Sequence, residues 1–311
     1  KEKNPDLYIQ GFYGTKNFGL WGLKHVDQHE VYNEQTIIVS TKHKQISDDR
    51  QNADGLRFQN NWSMRFRFTP AVTGHSLVHR ISEGEFRAEL IKGWDYNGWK
   101  YSIMSSLAVA GSFMPTILPY KTNLVPGYVD FYKKWSNWAK NNFNYVNHTE
   151  PFGEQVQCGS VDGYARIKGD HGFVFLFNGN PRSAEITFEV GDEINLEQGG
   201  SFQFIELYPS EKGKLLLDRN GNSTFTQGEK TRILVPANSC FLFELKRVTQ
   251  QSFPVLAGIE GHVVKEETTL SVTEIYGKPG ASVDFVIQLT GAEKIRTLLV
   301  NGLTQKLNAA D

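Results

Sequence analysis

The feature that most constrains the fold is a series of short strand-like stretches between residues 152 and 247. Breaks rich in glycine and asparagine separate them, among them 169–172 and 178–181. Strands with turn signals about every 8–12 residues are typical of antiparallel β-sandwiches. We therefore predict a β-sandwich here. Its strands are expected at 164–167, 173–177, 184–190, 202–208, 214–217, 231–235 and 240–245.

Two helices are predicted before the sandwich. Residues 101–111 are apolar and rich in small side chains, which favours a helix packed closely on a larger surface. In 128–146 apolar side chains such as Trp135 recur at helical spacing, and a Pro-Gly pair precedes them.

Strand-like stretches return after a polar linker at 249–252. They lie at 268–276, 282–289 and 297–300. We expect them to form either a late sheet of the sandwich or the beginning of a third, incomplete β-domain.

Composition argues against several classes of protein. The chain carries 33 Lys and Arg against 34 Asp and Glu, whereas nucleic-acid binding needs a basic surface. Hydrophobic residues make up 39% without a long apolar run, so we expect no membrane span. Aromatic residues reach 13%, which indicates a folded chain. Because neither a Walker loop nor a dinucleotide-binding glycine pattern is present, we predict no cofactor.

The densest polar cluster spans 25–34. If this stretch is extended, Asp27 and His29 lie on one face, and Asp27 and Glu30 are candidates for general acid or base. Apolar neighbours such as Trp21 would supply the walls that shift a carboxyl pKa. We predict no metal, because no second ligand set matches the first. The alternative interpretation is a solvated polar loop or helix face.

A second cluster, 73–80, follows the predicted strand at 64–68. Polar groups just beyond the C-terminal end of a strand are where α/β barrels place their sites. His75 and Arg80 are therefore candidate ligand contacts. The alternative is a capped turn with a structural histidine.

The third cluster, 93–100, contains Trp94, Asp95 and Trp99. Aromatic faces stack on the apolar side of a sugar ring, and carboxylates bind its hydroxyls. This stretch therefore favours saccharide recognition. The alternative is an aromatic corner of the core.

The two cysteines, Cys158 and Cys240, lie near the two ends of the predicted sandwich. Because the first and last strands of a sandwich can be neighbours, a disulfide between them is one prediction. Two buried thiols are the other, and the sequence does not decide between them.

The order of these features resembles a known family. The stretch YSIMSSLAVAG and the helix at 128–146 are followed by DGYARI at 162–167 and by FVFLFNGNP at 173–181. Together they resemble the end of the catalytic barrel and the following β-sandwich of large bacterial glycoside hydrolases, the α-galactosidase-like (β/α)8 group. The stretch at 173–181 is the most specific part of the match.

The resemblance implies an α/β plus all-β chain. Its expected parts are the C-terminal portion of a (β/α)8 barrel over 1–147 and an antiparallel β-sandwich over 148–249. The resemblance does not extend to 250–311, where the strand-like stretches predict a further β-rich segment, either an incomplete Ig-like domain or a late sheet of the sandwich. A complete barrel needs about 200–250 residues, so we expect either an N-terminal part of the same polypeptide that completes this one or a degenerate barrel.

The resemblance also implies a glycoside hydrolase that uses two carboxylates, one as acid or base and one as nucleophile or base. The candidate catalytic residues are Asp27, Glu30 and Asp95, and the candidate substrate-binding residues are His29, His75, Arg80, Trp94 and Trp99. The expected partner is a carbohydrate, and the expected location is secreted, periplasmic or at the cell surface of a bacterium.

Two other hypotheses remain at this point. One is a non-catalytic glycan-binding or cell-surface protein built on the same sandwich. The other is a structural fragment without activity, because an incomplete barrel leaves strand edges unpaired.

Overall fold

The computed structural model describes part of the chain, and all structural statements below concern that part. The described residues are 4, 10–11, 28–29, 53–54, 57–58, 78–79, 98–109, 116–117, 127–157, 159–249, 253–276, 280, 282–289, 297–300 and 303–305. Most of their regular structure is β-strand, with few helices, and no sheet among them closes on itself. Within these ranges, no helix has the length and apolar character needed to cross a membrane.

Parallel strand pairing occurs in the first part of the chain. β1 (Gln10–Gly11) pairs in parallel with β2 (Gln28–His29), and β3 (Val78–His79) pairs in parallel with β4 (Thr116–Ile117). Helix α1 (Gly98–Val109) lies between β3 and β4 in the sequence. Parallel neighbours need a crossover connection, usually a helix, and this is the arrangement of α/β units. The barrel itself stays a prediction.

The remaining elements follow helix α1 and β4. Helix α2 (Tyr128–Asn141) runs into a 3-10 helix at Phe143–His148, and a second 3-10 helix lies at Asp192–Ile194. The later strands are β5 (Thr149–Gly153), β6 (Asp162–Lys168), β7 (His171–Asn178), β8 (Ala184–Glu189), β9 (Ser201–Tyr208), β10 (Lys214–Leu215), β11 (Phe225–Thr226), β12 (Lys230–Val235), β13 (Ser239–Arg247), β14 (Val255–Ala257), β15 (Glu260–Glu266), β16 (Thr269–Tyr276), β17 (Val286–Gln288), β18 (Leu298–Val300) and β19 (Leu303–Gln305).

A nine-stranded sheet is the centre of this arrangement. Its order is β17, β14, β10, β9, β13, β7, β6 and β5, with β11 paired to β9. The central pairs, β6 with β7, β7 with β13 and β13 with β9, are antiparallel. β8 and β12 form a separate antiparallel pair. The predicted antiparallel strands at 164–167, 173–177 and 240–245 are therefore confirmed.

The central strands of the nine-stranded sheet are buried on both faces. On one face, Phe173, Phe175 and Phe177 of β7 share a core with helices α1 and α2. On the other face, Val174 and Leu176 share a second core with β8 and β12. A strand covered on both sides is apolar at every position, because neither set of its alternating side chains meets water. This explains the unbroken run FVFLF.

The last part of the chain joins the sandwich through β14 and β17. β14 pairs in parallel with β10, and β17 pairs with β14. The carboxylate of Glu260 in β15 accepts hydrogen bonds from the hydroxyl of Ser210 and from the main-chain N–H of Glu211 (2.8 Å). β15 with β16 and β18 with β19 form separate antiparallel hairpins.

Asn178, at the end of β7, fixes the corner where the sandwich turns. Its Nδ2 donates to the carbonyls of Arg182 and Val235, each at 2.9 Å, and its Oδ1 accepts from the main-chain N–H of Asn180 (3.0 Å). The side chain of Asn180 donates to the carbonyl of Ser160 (2.8 Å). The two asparagines of the Asn-Gly-Asn-Pro stretch therefore join three loops at one corner.

We predict that Asn178→Ala lowers the free energy of unfolding by about 2–3 kcal/mol, because buried carbonyls lose their donor. Asn222→Ala is the matched control. The Asn222 side chain is exposed in a turn, so its removal is expected to cost less than about 0.5 kcal/mol. Urea unfolding of both variants measures the difference, and equal losses would contradict the structural role of Asn178.

Candidate functional site

Most of the predicted site residues lie outside the described residues. These are Asp27, Glu30, His75, Arg80, Trp94 and Asp95, together with Cys158 and the predicted strand at 64–68. The structure places His29 at the end of the parallel strand β2 and Trp99 in the first turn of α1. Whether these residues converge on one site therefore stays a prediction. Cys240 is buried in the core that β13 shares with the helices.

A buried polar site surrounds Arg57. Its guanidinium holds Asp162 with two hydrogen bonds, from Nε to Oδ2 at 2.7 Å and from Nη2 to Oδ1 at 3.0 Å. The two N–H groups of Nη2 also reach Asp54 Oδ1 (2.6 Å) and the Tyr101 hydroxyl (2.9 Å), so one of them is shared between two acceptors. Nη1 donates to Ser105 Oγ (3.1 Å). We name these five residues the Arg57 array.

The array joins three separate stretches of the chain. Asp54 and Arg57 lie three positions apart in helical backbone, so their side chains reach the same side. Tyr101 and Ser105 lie four positions apart on α1, and one helical turn brings both to the guanidinium. Asp162 is the first residue of β6. The array therefore connects α1 and the stretch before it directly to the nine-stranded sheet.

Aromatic rings pack against the buried part of the array. The guanidinium carbon of Arg57 lies 4.1 Å from the centre of the Phe177 ring. The Tyr101 ring meets Phe177 edge-on, with centroids 5.5 Å apart. A cation over an aromatic face is attracted by the ring's electron density, and the attraction is stronger where water is absent.

Burial controls the electrostatics of the array. Burial alone would lower the pKa of Arg57, but Asp162, Tyr101 and Asp54 outweigh it and raise that pKa well above its usual value. Burial raises the pKa of Asp162, and the neighbouring Arg57 partly offsets the rise. Burial likewise raises the pKa of Tyr101, so its phenol keeps its proton. The array is therefore suited to holding elements together, and its carboxylate Asp162 is buried.

Gly179 brings the sandwich corner against the array. A Cβ at this position would lie 2.1 Å from Asp54 Oδ2, which is far inside contact distance. The side chain of Asp54 is 25% exposed, so it is the carboxylate of the array that meets solvent. Gly179 belongs to the stretch 173–181, which is the most specific part of the family resemblance. The close approach of Asp54 explains why this position has no side chain.

A second polar group lies at the opposite end of β7. The Tyr145 hydroxyl is 2.6 Å from His171 Nδ1, and His171 Nε2 is 3.0 Å from Glu244 Oε1. Burial, Glu244 and Asp170 raise the pKa of Tyr145. The phenol therefore keeps its proton, and the imidazole lies within hydrogen-bond distance of both the phenol and the carboxylate of Glu244. Tyr145, His171 and Glu244 thus connect the 3-10 helix after α2 to strands β7 and β13.

Comparison with known proteins gives no family. No protein-family model matches the chain, and no curated protein sequence matches it. Solved structures of glycoside hydrolases show a partial likeness. The α-amylase from Geobacillus thermoleovorans, complexed with acarbose, is 10% identical, with 71% of this chain and 53% of that chain covered and a TM-score of 0.41.

Two further structures show a likeness of the same order. For an Anoxybacillus α-amylase the values are 12% identity, 72% of this chain, 53% of that chain and a TM-score of 0.39. For α-galactosidase I from Mortierella vinacea they are 18%, 45%, 33% and 0.30. The chain therefore spans 33–53% of the length of these three structures. TM-scores below 0.5 support no assignment.

We predict that Asp162→Asn lowers the free energy of unfolding by about 3–5 kcal/mol, because it leaves the buried Arg57 charge without its main partner. Asp170→Asn is the control, since Asp170 forms a partly exposed ion pair with Arg247 at 3.6 Å. Loss of that pair is expected to cost less than about 1 kcal/mol. Denaturant melts measure both, and a loss below 1 kcal/mol for Asp162→Asn would refute the role given to the array.

Proposed function

We propose that this chain is a large part of a glycoside hydrolase that acts on an oligo- or polysaccharide. The observation that carries the proposal is the hydrophobic core that helices α1 and α2 share with one face of the nine-stranded sheet. Helices α1 and α2 pack on an antiparallel sheet, and the part of the chain before the sheet also contains the two parallel strand pairs. The sheet bears the FVFLFNGNP stretch that resembles the sandwich of bacterial glycoside hydrolases. An α/β catalytic part followed by such a sandwich is the organisation that the resemblance implies.

The proposed reaction uses a pair of carboxylates. Asp27 and Glu30 flank β2 in the sequence, and β2 belongs to a parallel pair. α/β barrels place catalytic groups at the C-terminal ends of parallel strands, which supports Glu30, the residue directly after β2. Asp27, directly before β2, is proposed for its chemistry as the second carboxylate of the pair. Asp95 is the third candidate.

Substrate binding is proposed for the aromatic and polar residues around these carboxylates. Trp94 and Trp99 would stack on the apolar faces of sugar rings, as indole rings do in saccharide sites. His29, His75 and Arg80 would bind hydroxyl groups. We further propose an extracytoplasmic location, where polysaccharides are accessible.

The test is the release of reducing sugar from a panel of α- and β-linked oligosaccharides. Asp27→Asn and Glu30→Gln are each expected to lower kcat about 10²–10⁴-fold, because each removes an acid–base or nucleophilic group. Asp192→Asn, which alters an exposed carboxylate of the sandwich, is the control and is expected to keep wild-type activity.

Two results would contradict the proposal in different ways. Wild-type activity in both Asp27→Asn and Glu30→Gln would reject these residues as the catalytic pair. Saccharide binding without any turnover by the wild-type chain would instead support a non-catalytic glycan-binding protein.

A further inference from the structure

We infer that the sandwich positions the saccharide-binding residue Trp99 through the Arg57 array. In this view Tyr101, Arg57 and Asp162 are positioning residues, which act on substrate binding without touching the substrate. The inference rests on the proposed function, because it assumes that Trp99 contacts the sugar.

Trp99 and the anchored Tyr101 belong to the same turn of α1. The Tyr101 hydroxyl accepts a hydrogen bond from Arg57 Nη2 (2.9 Å) and donates one to Asp54 Oδ1 (2.6 Å). One turn further along, Ser105 Oγ accepts from Arg57 Nη1 (3.1 Å). Two attachment points one turn apart fix both the position of the helix along its axis and its rotation about that axis. The backbone of Trp99 is therefore held by the same contacts.

On the sandwich side, the array ends at Asp162 in β6, which lies beside the buried strand β7. Asp162 pairs across the sheet with Phe177 of β7, and β7 lies between β6 and β13 in the centre of the sheet. Two parallel hydrogen bonds to Asp162 set the plane of the guanidinium, and Phe177 lies against its face. A planar group held at its edge and at its face has no freedom to rotate.

Because Arg57 is buried, only one position of α1 satisfies its hydrogen-bond donors. Arg57 is fully buried, and its donors are directed at oxygen atoms of the four other members of the array. A displaced α1 would leave a buried charge with unsatisfied donors, and such a state is strongly disfavoured. The helix that carries Trp99 therefore has one favoured position, which is defined by the sandwich.

Tyr101→Phe tests the connection from the helix side. The ring keeps its edge contact with Phe177, whereas the bonds to Arg57 and Asp54 are lost. We expect KM for the hydrolysed saccharide to rise about tenfold while kcat changes less than about twofold, since stacking on Trp99 contributes equally to ground-state and transition-state binding. Tyr145→Phe is the matched control. It removes a comparable hydrogen bond, to His171, at the other end of β7, and KM is expected to stay at the wild-type value.

Gly179→Ala tests the same connection from the sandwich side. The added methyl group would lie against Asp54 Oδ2, without removing any hydrogen-bonding atom of the array. Gly199→Ala is its control, because the nearest atom to that Cβ is the side-chain Oε1 of Gln227 at 3.3 Å, which can move aside. We expect a raised KM for Gly179→Ala and an unchanged KM for Gly199→Ala.

Hydrogen exchange of α1 provides a readout that does not depend on activity. Amides of Gly98–Val109 are expected to exchange at least about tenfold faster in Tyr101→Phe and Gly179→Ala than in their controls. Unchanged exchange in both variants, or a KM that rises equally in Tyr101→Phe and Tyr145→Phe, would overturn the positioning role. Wild-type protein that hydrolyses no saccharide in the panel would overturn the proposed function instead, so the two failures are distinguishable.

Discussion

The structure depends on neutralising one buried cation. Arg57 has no access to water, and an isolated charge in such surroundings is prohibitively unstable. The carboxylates of Asp162 and Asp54 therefore neutralise the charge, while the hydroxyls of Tyr101 and Ser105 accept from its other N–H groups. Because these groups come from three stretches of the chain, their assembly requires the stretches to be in their final arrangement. The interaction selects one arrangement more than it adds to overall stability.

This requirement accounts for several features of the sequence. Asp162 begins β6 because the guanidinium needs a carboxylate at the end of the central strands. Gly179 has no side chain because Asp54 occupies the space where one would lie. Phe177 lies against the face of the guanidinium and also belongs to the core shared with the helices. The sandwich is consequently not a separate module, since one face of its main sheet is covered by α1 and α2.

Local patterns predicted the elements well. The helices at 101–111 and 128–146 correspond to α1 and to α2 with its following 3-10 helix, and the predicted strands of the sandwich correspond to β6 to β10, β12 and β13. These elements follow from apolar periodicity and turn residues, which act over a few positions. Among the strands that were not predicted are β5 and β15. β5 has a single buried apolar side chain, Phe152, beside a proline, and most of β15 is exposed.

The Arg57 array could not be predicted from local patterns. Arg57 and Asp162 are 105 residues apart, and nothing in the sequence near either one indicates the other. The candidate site residues were chosen for their chemistry, and of these the structure describes only the backbones of His29 and Trp99. The burial of β7 on both faces could have been predicted from the sequence. The run FVFLF lacks the alternation of apolar and polar residues that marks a strand with one face in water.

A double-mutant cycle between Asp162→Asn and Tyr101→Phe measures the central claim most directly. The two side chains come from the sandwich and from α1, and both bind Nη2 of Arg57. If the array is one cooperative unit, the stability losses are non-additive, with a coupling energy of about 1–3 kcal/mol in urea unfolding. Losses that add within about 0.5 kcal/mol would show that the sandwich and the helix are held independently, which contradicts the account.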